Sequence, residues 1–248
     1  MPNWVKNKVY IENKNAIKEC YVENGENELF DFNKIIPRPR SLDLPSGSYE
    51  TSSIRYVLYN MDDDKKKELM EQFKDNVGLT ELFTKHYLVD NENYSIESLN
   101  KDYEKFNETL KNKKDFFYND IYEELNIKNL NDLGNAYINN IINYGYSSWY
   151  DWSVNNWGTK WNACSTYYID DNNIEFETAW SMPEEIFKEI SRKYNTLVRV
   201  EYADEDIGYN CGISIYRNGK LIEDIIEDRQ FALDLWGWED YEEEQNEE

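Results

Sequence analysis

The spacing of hydrophobic positions changes twice along this chain. Near the start, Val5, Asn7, Val9 and Ile11 fall on one face and Lys6, Lys8 and Tyr10 on the other. Period two predicts a strand. Asn7 interrupts the apolar face, which points to a place near a sheet edge. A short helix is expected over 14–23. Phe30-Asp31-Phe32-Asn33-Lys34-Ile35-Ile36-Pro37 and then Arg38-Pro39-Arg40 follow. The two prolines enforce an extended path there. Residues 41–53, with Pro45, Gly47 and many hydroxyl side chains, read as a loop.

From 54 to 145 the spacing becomes three and four. Ile96, Leu99, Tyr103, Phe106 and Leu110 make one buried helical stripe. Phe117, Ile121, Tyr122 and Leu125 predict a second, and Leu130, Leu133, Tyr137, Ile138, Ile141 and Ile142 a third. Leu69, Met70 and Phe73 mark a shorter helix behind a run of three aspartates and three lysines.

After residue 162 the period returns to two. Ala163 to Ile169, a turn at Asp170-Asp171-Asn172-Asn173, and Ile174, Phe176, Thr178 and Trp180 predict a β-hairpin. Ser181 reads as the N-cap of the next helix, with Glu184 three residues on and Pro183 in its first turn. Ile186, Phe187, Ile190 and Tyr194 share that helix's apolar face. Leu197 to Tyr202 is the next strand, and Asp204 to Gly208 an acidic loop. Cys211 to Tyr216 and Leu221 to Ile226 form a second hairpin across Asn218-Gly219, a type I′ signal.

Paired strands with one packed helix indicate an α+β class. A ferredoxin-like antiparallel sheet, with a helical insertion between its first and second strands, fits this order. Residues 1–53 are then the first strand and an extended loop of the core. Residues 54–145 are the helical insertion lobe and 146–238 the rest of the core. Residues 239–248, opened by Glu239 and Asp240, carry seven acids in ten positions and read as an acidic tail.

Charge then narrows the partners. Fifty acidic against 27 basic residues leave a net charge of −23. Repulsion opposes direct binding to a phosphate backbone or an anionic membrane, and a basic partner is favoured. Cys20, Cys164 and Cys211 are odd in number and irregularly spaced, so neither a disulfide framework nor a zinc site is indicated. Met1-Pro2-Asn3-Trp4-Val5-Lys6 has no apolar signal core, and no run reaches the roughly 20 apolar residues of a membrane span. A cytoplasmic location is expected.

Four segments carry a family resemblance. They are Met1-Pro2-Asn3-Trp4, the stretch from Phe30 to Pro37, Asn156 to Ala163, and Thr178-Ala179-Trp180-Ser181 before Pro183. In this order they resemble the YubB-type ferredoxin-like family of phage and conjugative-plasmid proteins. The resemblance covers about residues 1–40 and 145–217. It implies a ferredoxin-like fold and a mobile-element origin, and it brings no catalytic residues.

Candidate chemistry is sparse. In Asn156-Trp157-Gly158-Thr159-Lys160-Trp161-Asn162, two indoles flank a glycine turn. With Asn156, Lys160 and Asn162 beside them, Trp157 and Trp161 can form an aromatic platform; equally, both can plug the core. His86 is the sole histidine, so histidine-cluster metal sites are excluded by count. Asp204, Glu205 and Asp206 do not match a calcium loop, and no phosphate-cradling or dinucleotide motif is present. The expectation is therefore a non-enzymatic, cofactor-free interaction protein. Its carboxylates would imitate nucleic-acid phosphates and occupy the basic groove of a host defence effector, a nuclease or ribonucleoprotein of CRISPR or another type. The alternative is a single-stranded nucleic-acid or RNA-binding module, with Lys6, Lys8, Tyr10, Lys160 and Trp161 on an aromatic sheet face.

Overall fold

The structure is a computed structural model that describes residues 3–24, 27–73, 95–113 and 117–239. His86, Asp240 and the tail beyond it lie outside the described residues. The chain divides into two compact units, Met1–Pro37 with Ser153–Glu248, and Arg38–Trp152. The first unit holds 29 acidic and 13 basic residues, the second 21 and 14. The negative charge is therefore concentrated on the first.

In the first unit, β1 (Trp4–Ile11) runs between β5 (Asn173–Ala179) and β6 (Leu197–Asp204). β4 (Cys164–Tyr168) pairs outside β5; β7 (Cys211–Arg217) and β8 (Lys220–Ile226) extend the other side. The order is β4-β5-β1-β6-β7-β8, antiparallel throughout. The four strands β4-β5-β1-β6, with α8 (Glu184–Lys193) linking β5 to β6, are ferredoxin-like in arrangement. The β7–β8 hairpin is an addition. Asn218 and Gly219 both have positive φ, 53° and 76°, as a type I′ turn requires.

β1 is a central strand, which corrects the expectation of an edge. Asn7 is fully buried, and its Nδ2 donates to the carbonyl of Val5 and to Thr178 Oγ1, each at 2.9 Å. A polar residue survives there because the pleat of the neighbouring strand supplies an acceptor. Above this face, α8 buries Ile186, Phe187 and Ile190 against Phe176, Val198, Val200 and Tyr216.

Several other expectations change. The helix at 14–23 ends early: α1 is Lys14–Cys20, and Tyr21–Asn24 is β2, paired with β3 (Asn27–Phe30). Ser181 is not an N-cap. Its hydroxyl donates to the Gly158 carbonyl at 2.5 Å, and Pro183 stands at the cap of α8. An unexpected helix, α9 (Arg229–Trp236), packs Ala232 against Ala203 and Cys211 on the other sheet face.

The second unit is helical: α2 (Ser48–Asn60), α3 (Asp63–Phe73), α4 (Ile96–Lys111), α5 (Asn119–Glu124), α6 (Leu130–Tyr144) and the start of α7 (Trp149–Trp157). Half of the expected 41–53 loop belongs to α2, whose Ile54, Val57 and Leu58 are core residues. They meet Phe106, Ile121, Tyr122, Leu130, Leu133, Tyr137, Ile138 and Ile141 in one cluster. The periodic stripes are therefore the packed faces, except that Phe117 is 90% exposed. α2 and α6 approach closely at Gly134: a Cβ there would stand 2.3 Å from the Ser53 carbonyl oxygen.

Candidate interaction surfaces

The Asn156–Asn162 segment splits into residues that hold the fold together and a half-buried Lys160–Trp161 pair. Asn156 and Trp157 close α7 rather than lying in a loop. Trp157 is a core residue, 1% exposed, with its indole N–H on the Ile36 carbonyl at 2.9 Å and its ring edge-on to Phe32. Gly158 then turns the chain with φ 81°. Thr159 is buried and donates to the Ala179 carbonyl at 2.7 Å. Asn162 is a clamp: its Oδ1 accepts from the Phe32 and Ala163 amides at 2.9 and 3.0 Å, and its Nδ2 donates to Asp31 at 2.8 Å. Trp157 and Asn162 thus tie the Phe30–Pro37 segment to the sheet.

Lys160 and Trp161 are half-buried and gather with a residue not expected in the site, Trp180. The Lys160 ammonium lies 4.6 Å from the Trp161 ring and 4.8 Å from the Trp180 ring. Trp161 also meets Trp4 at 5.8 Å. Two aromatic faces on one cation attract it through their quadrupoles. Trp180 is 41% exposed and holds φ 74°, the left-handed region that bulky residues avoid. Its neighbours enforce this. The Trp180 amide donates to the Asn3 carbonyl at 2.9 Å, and Thr178 Oγ1 donates to the Ser181 carbonyl at 2.8 Å. Flanking hydrogen bonds thus hold a bulky, partly exposed residue in a sparsely populated backbone region. The signal for it in the sequence was the Thr178-Ala179-Trp180-Ser181 run.

The acidic loop is partly structural as well. Asp204 is 7% exposed and its carboxylate accepts from the Asp206 amide at 2.9 Å, so it shapes the turn. Glu205 is half-buried and Asp206 exposed. Glu239 is exposed at the end of the described residues.

On the sheet face away from α8, charges alternate. Lys6 and Lys8 of β1 stand opposite Glu177 and Glu175 of β5, and Lys8 opposite Glu201 of β6. Lys6 pairs with Glu175 at 3.7 Å, Arg199 with Glu201 at 2.5 Å. Tyr10 and Tyr167 are exposed on the first unit, but Lys6 is drawn toward carboxylates and the Trp236 ring.

Burial raises all three thiols. Cys20 is pushed up to about 11, and Cys164 and Cys211 also move up from the ordinary thiol value. Protonated thiols are weak nucleophiles. Among the described residues, no group of three or more His, Cys, Asp or Glu is placed to hold a metal ion. No helix among them is long and apolar enough to cross a membrane.

Residues 156–248 match the family model described as "Ferredoxin-like domain in Api92-like protein". Among solved structures, the chain is similar to the crystal structure of a protein api92 from Yersinia pseudotuberculosis. Identity is 11%, over 92% of this chain and 98% of that one, with a TM-score of 0.36. Comparison with curated proteins gives no match.

Proposed function

We propose that this protein acts by binding, not catalysis, and that its partner is a protein with a basic surface of the kind that holds nucleic acid. The observation that carries this is the charge of the sheet-bearing unit, 29 acids against 13 bases. Six of its thirteen bases are in ion pairs: Lys6, Lys18, Lys188, Arg192, Arg199 and Arg217 each lie against a carboxylate. Acids remain in large excess after those pairs are set aside. Such a surface attracts a cationic groove at long range and competes with phosphates for it. The resemblance to a mobile-element family suggests a host defence effector, of CRISPR or another type, as the owner of that groove, in the cytoplasm. Inhibition would then be competitive displacement of nucleic acid.

The test is competition. The protein is used to capture its partner from the producing cell, and labelled nucleic acid is then titrated against the purified pair. Mutual displacement is the expected result. A stable ternary complex of partner, nucleic acid and this protein would refute mimicry.

A second reading, single-strand binding on the sheet face away from α8, is favoured by exposed Tyr10 and Tyr167. The carboxylates opposite Lys6 and Lys8 weigh against it. Titration with labelled oligonucleotides at low salt decides it: no binding removes this reading.

A further inference from the structure

The two edges of the six-stranded sheet are treated differently. At the β4 edge, β3 lies alongside, and the Phe30 amide donates to Thr166 Oγ1 at 3.2 Å. At the other edge, every residue of β8 is exposed. Four of its seven residues are branched aliphatics: Leu221 is 40% exposed, Ile222 57%, Ile225 38% and Ile226 87%. An open edge strand offers a row of backbone donors and acceptors to a further strand, and proteins normally blunt such edges. Here the blunting is slight. Ile222 is an extra residue opposite the Ile215–Tyr216 step of β7, a bulge, and the charges on the strand and just beyond it are mainly acidic: Glu223, Asp224, Glu227 and Asp228.

Those acids select the occupant. A second copy pairing antiparallel about Glu223 or Asp224 would set like carboxylates opposite each other. Pairing about Ile225 would set Glu223 against Glu227. Like charges directly opposite destabilise a strand pair. Pairing about Ile222 would require Lys220 and Asp224 to share a face, which the bulge prevents: Lys220 stands opposite Arg217 and Asp224 opposite Ser214, three strand positions apart on β7. A strand of opposite charge meets none of these penalties. We infer that β8 is a docking edge for an extended segment of the basic partner, one that alternates lysine or arginine with aliphatic residues. Main-chain pairing supplies affinity and the alternating side chains supply selection, as in strand addition generally. This rests on the proposed basic partner and names where it is gripped.

The experiment uses the full chain and a synthetic peptide of alternating lysine and valine, with a glutamate–valine peptide as control. Backbone amide shifts and exchange protection are followed by NMR. The lysine peptide binds, its effects centre on residues 220–226, and the glutamate peptide does not bind. The double variant Glu223→Lys, Ile226→Lys changes two exposed side chains. It keeps the wild-type urea midpoint and weakens the lysine peptide by about tenfold or more. Absence of binding, perturbations that map away from β8, or undiminished binding by the double variant overturns the inference. With a captured basic partner, equal binding by wild type and double variant removes β8 as the grip while leaving the proposed function standing. Failure of the wild type to bind any basic partner removes the proposed function, and the peptide result still decides β8.

Discussion

Replacing Gly134 by alanine sets two physical effects against each other with opposite signs. Gly134 lies inside α6, where alanine is intrinsically favoured by about 1 kcal/mol. Propensity alone therefore predicts a more stable protein. The packing predicts the reverse. The added Cβ would sit 2.3 Å from the Ser53 carbonyl oxygen, 2.7 Å from its carbon and 2.7 Å from Val57 Cγ2. The first two atoms are backbone and cannot rotate away. Relief requires α2 and α6 to separate by roughly 1 Å, and a gap of that size forfeits about a quarter to a half of each dispersion contact. The contacts at risk are those of Ile54, Val57, Leu133 and Tyr137, all buried in the same cluster. Overpacking of this kind costs about 1–3 kcal/mol or somewhat more. A clash against backbone sits at the upper end of that range, about 2–3 kcal/mol, so after the gain in propensity the helical unit should lose about 1–2 kcal/mol.

Urea unfolding followed by far-ultraviolet circular dichroism measures this. The Gly134→Ala midpoint should fall, with the loss confined to the phase that reports the helices. An unchanged or raised midpoint would show that α2 and α6 do not approach as closely as described, and the packing argument would fail.

Two further perturbations probe the first unit. Asn162→Ala leaves the Phe32 amide without its acceptor and takes one donor from Asp31, which keeps those of Asn33, so a loss of about 1–3 kcal/mol is expected. Asn162→Asp should not rescue it, because a carboxylate then faces Asp31; a wild-type urea midpoint in either variant would remove the clamp role. The Asp170 carboxyl is held below its usual range by the backbone amide of Asn172, and Asp171 by Lys18. A depressed folded pKa means that the stabilisation is complete above the unfolded value, about 3.9, and is lost as pH falls through the folded value. The urea midpoint should therefore drop below about pH 4, and drop less in a double Asp170→Asn, Asp171→Asn variant. Identical acid profiles would show that this turn carries no proton linkage.

What the sequence made legible follows from how local each signal is. The β7–β8 hairpin was readable because Asn218-Gly219 fixes a turn by itself. The stripes around Phe106 and Ile141 were readable because one helix face repeats every three to four residues. Asn7 misled because its side-chain partner, Thr178, is far away in sequence. α9 was missed although both its ends are marked: Asp228 accepts from the Phe231 amide at 3.0 Å, and Gly237 follows with φ 71°. A cap and a closing glycine around only eight residues are weak beside the acidic run that surrounds them. Within the candidate site, no spacing rule separates Trp157 from Trp161. One is core and the other half-buried because the turn at Gly158 intervenes. Trp180 joined them only through the pairing of β5 with β1, which sets Ala179 opposite Trp4.

The most direct measurement is the salt dependence of the association rate with the captured partner, by stopped-flow between about 50 and 300 mM salt, where the Debye length shrinks several ångströms. If the acidic surface recognises a basic groove, the association rate falls by about tenfold or more over that range, while dissociation changes little. An association rate that does not change with salt would contradict electrostatic capture.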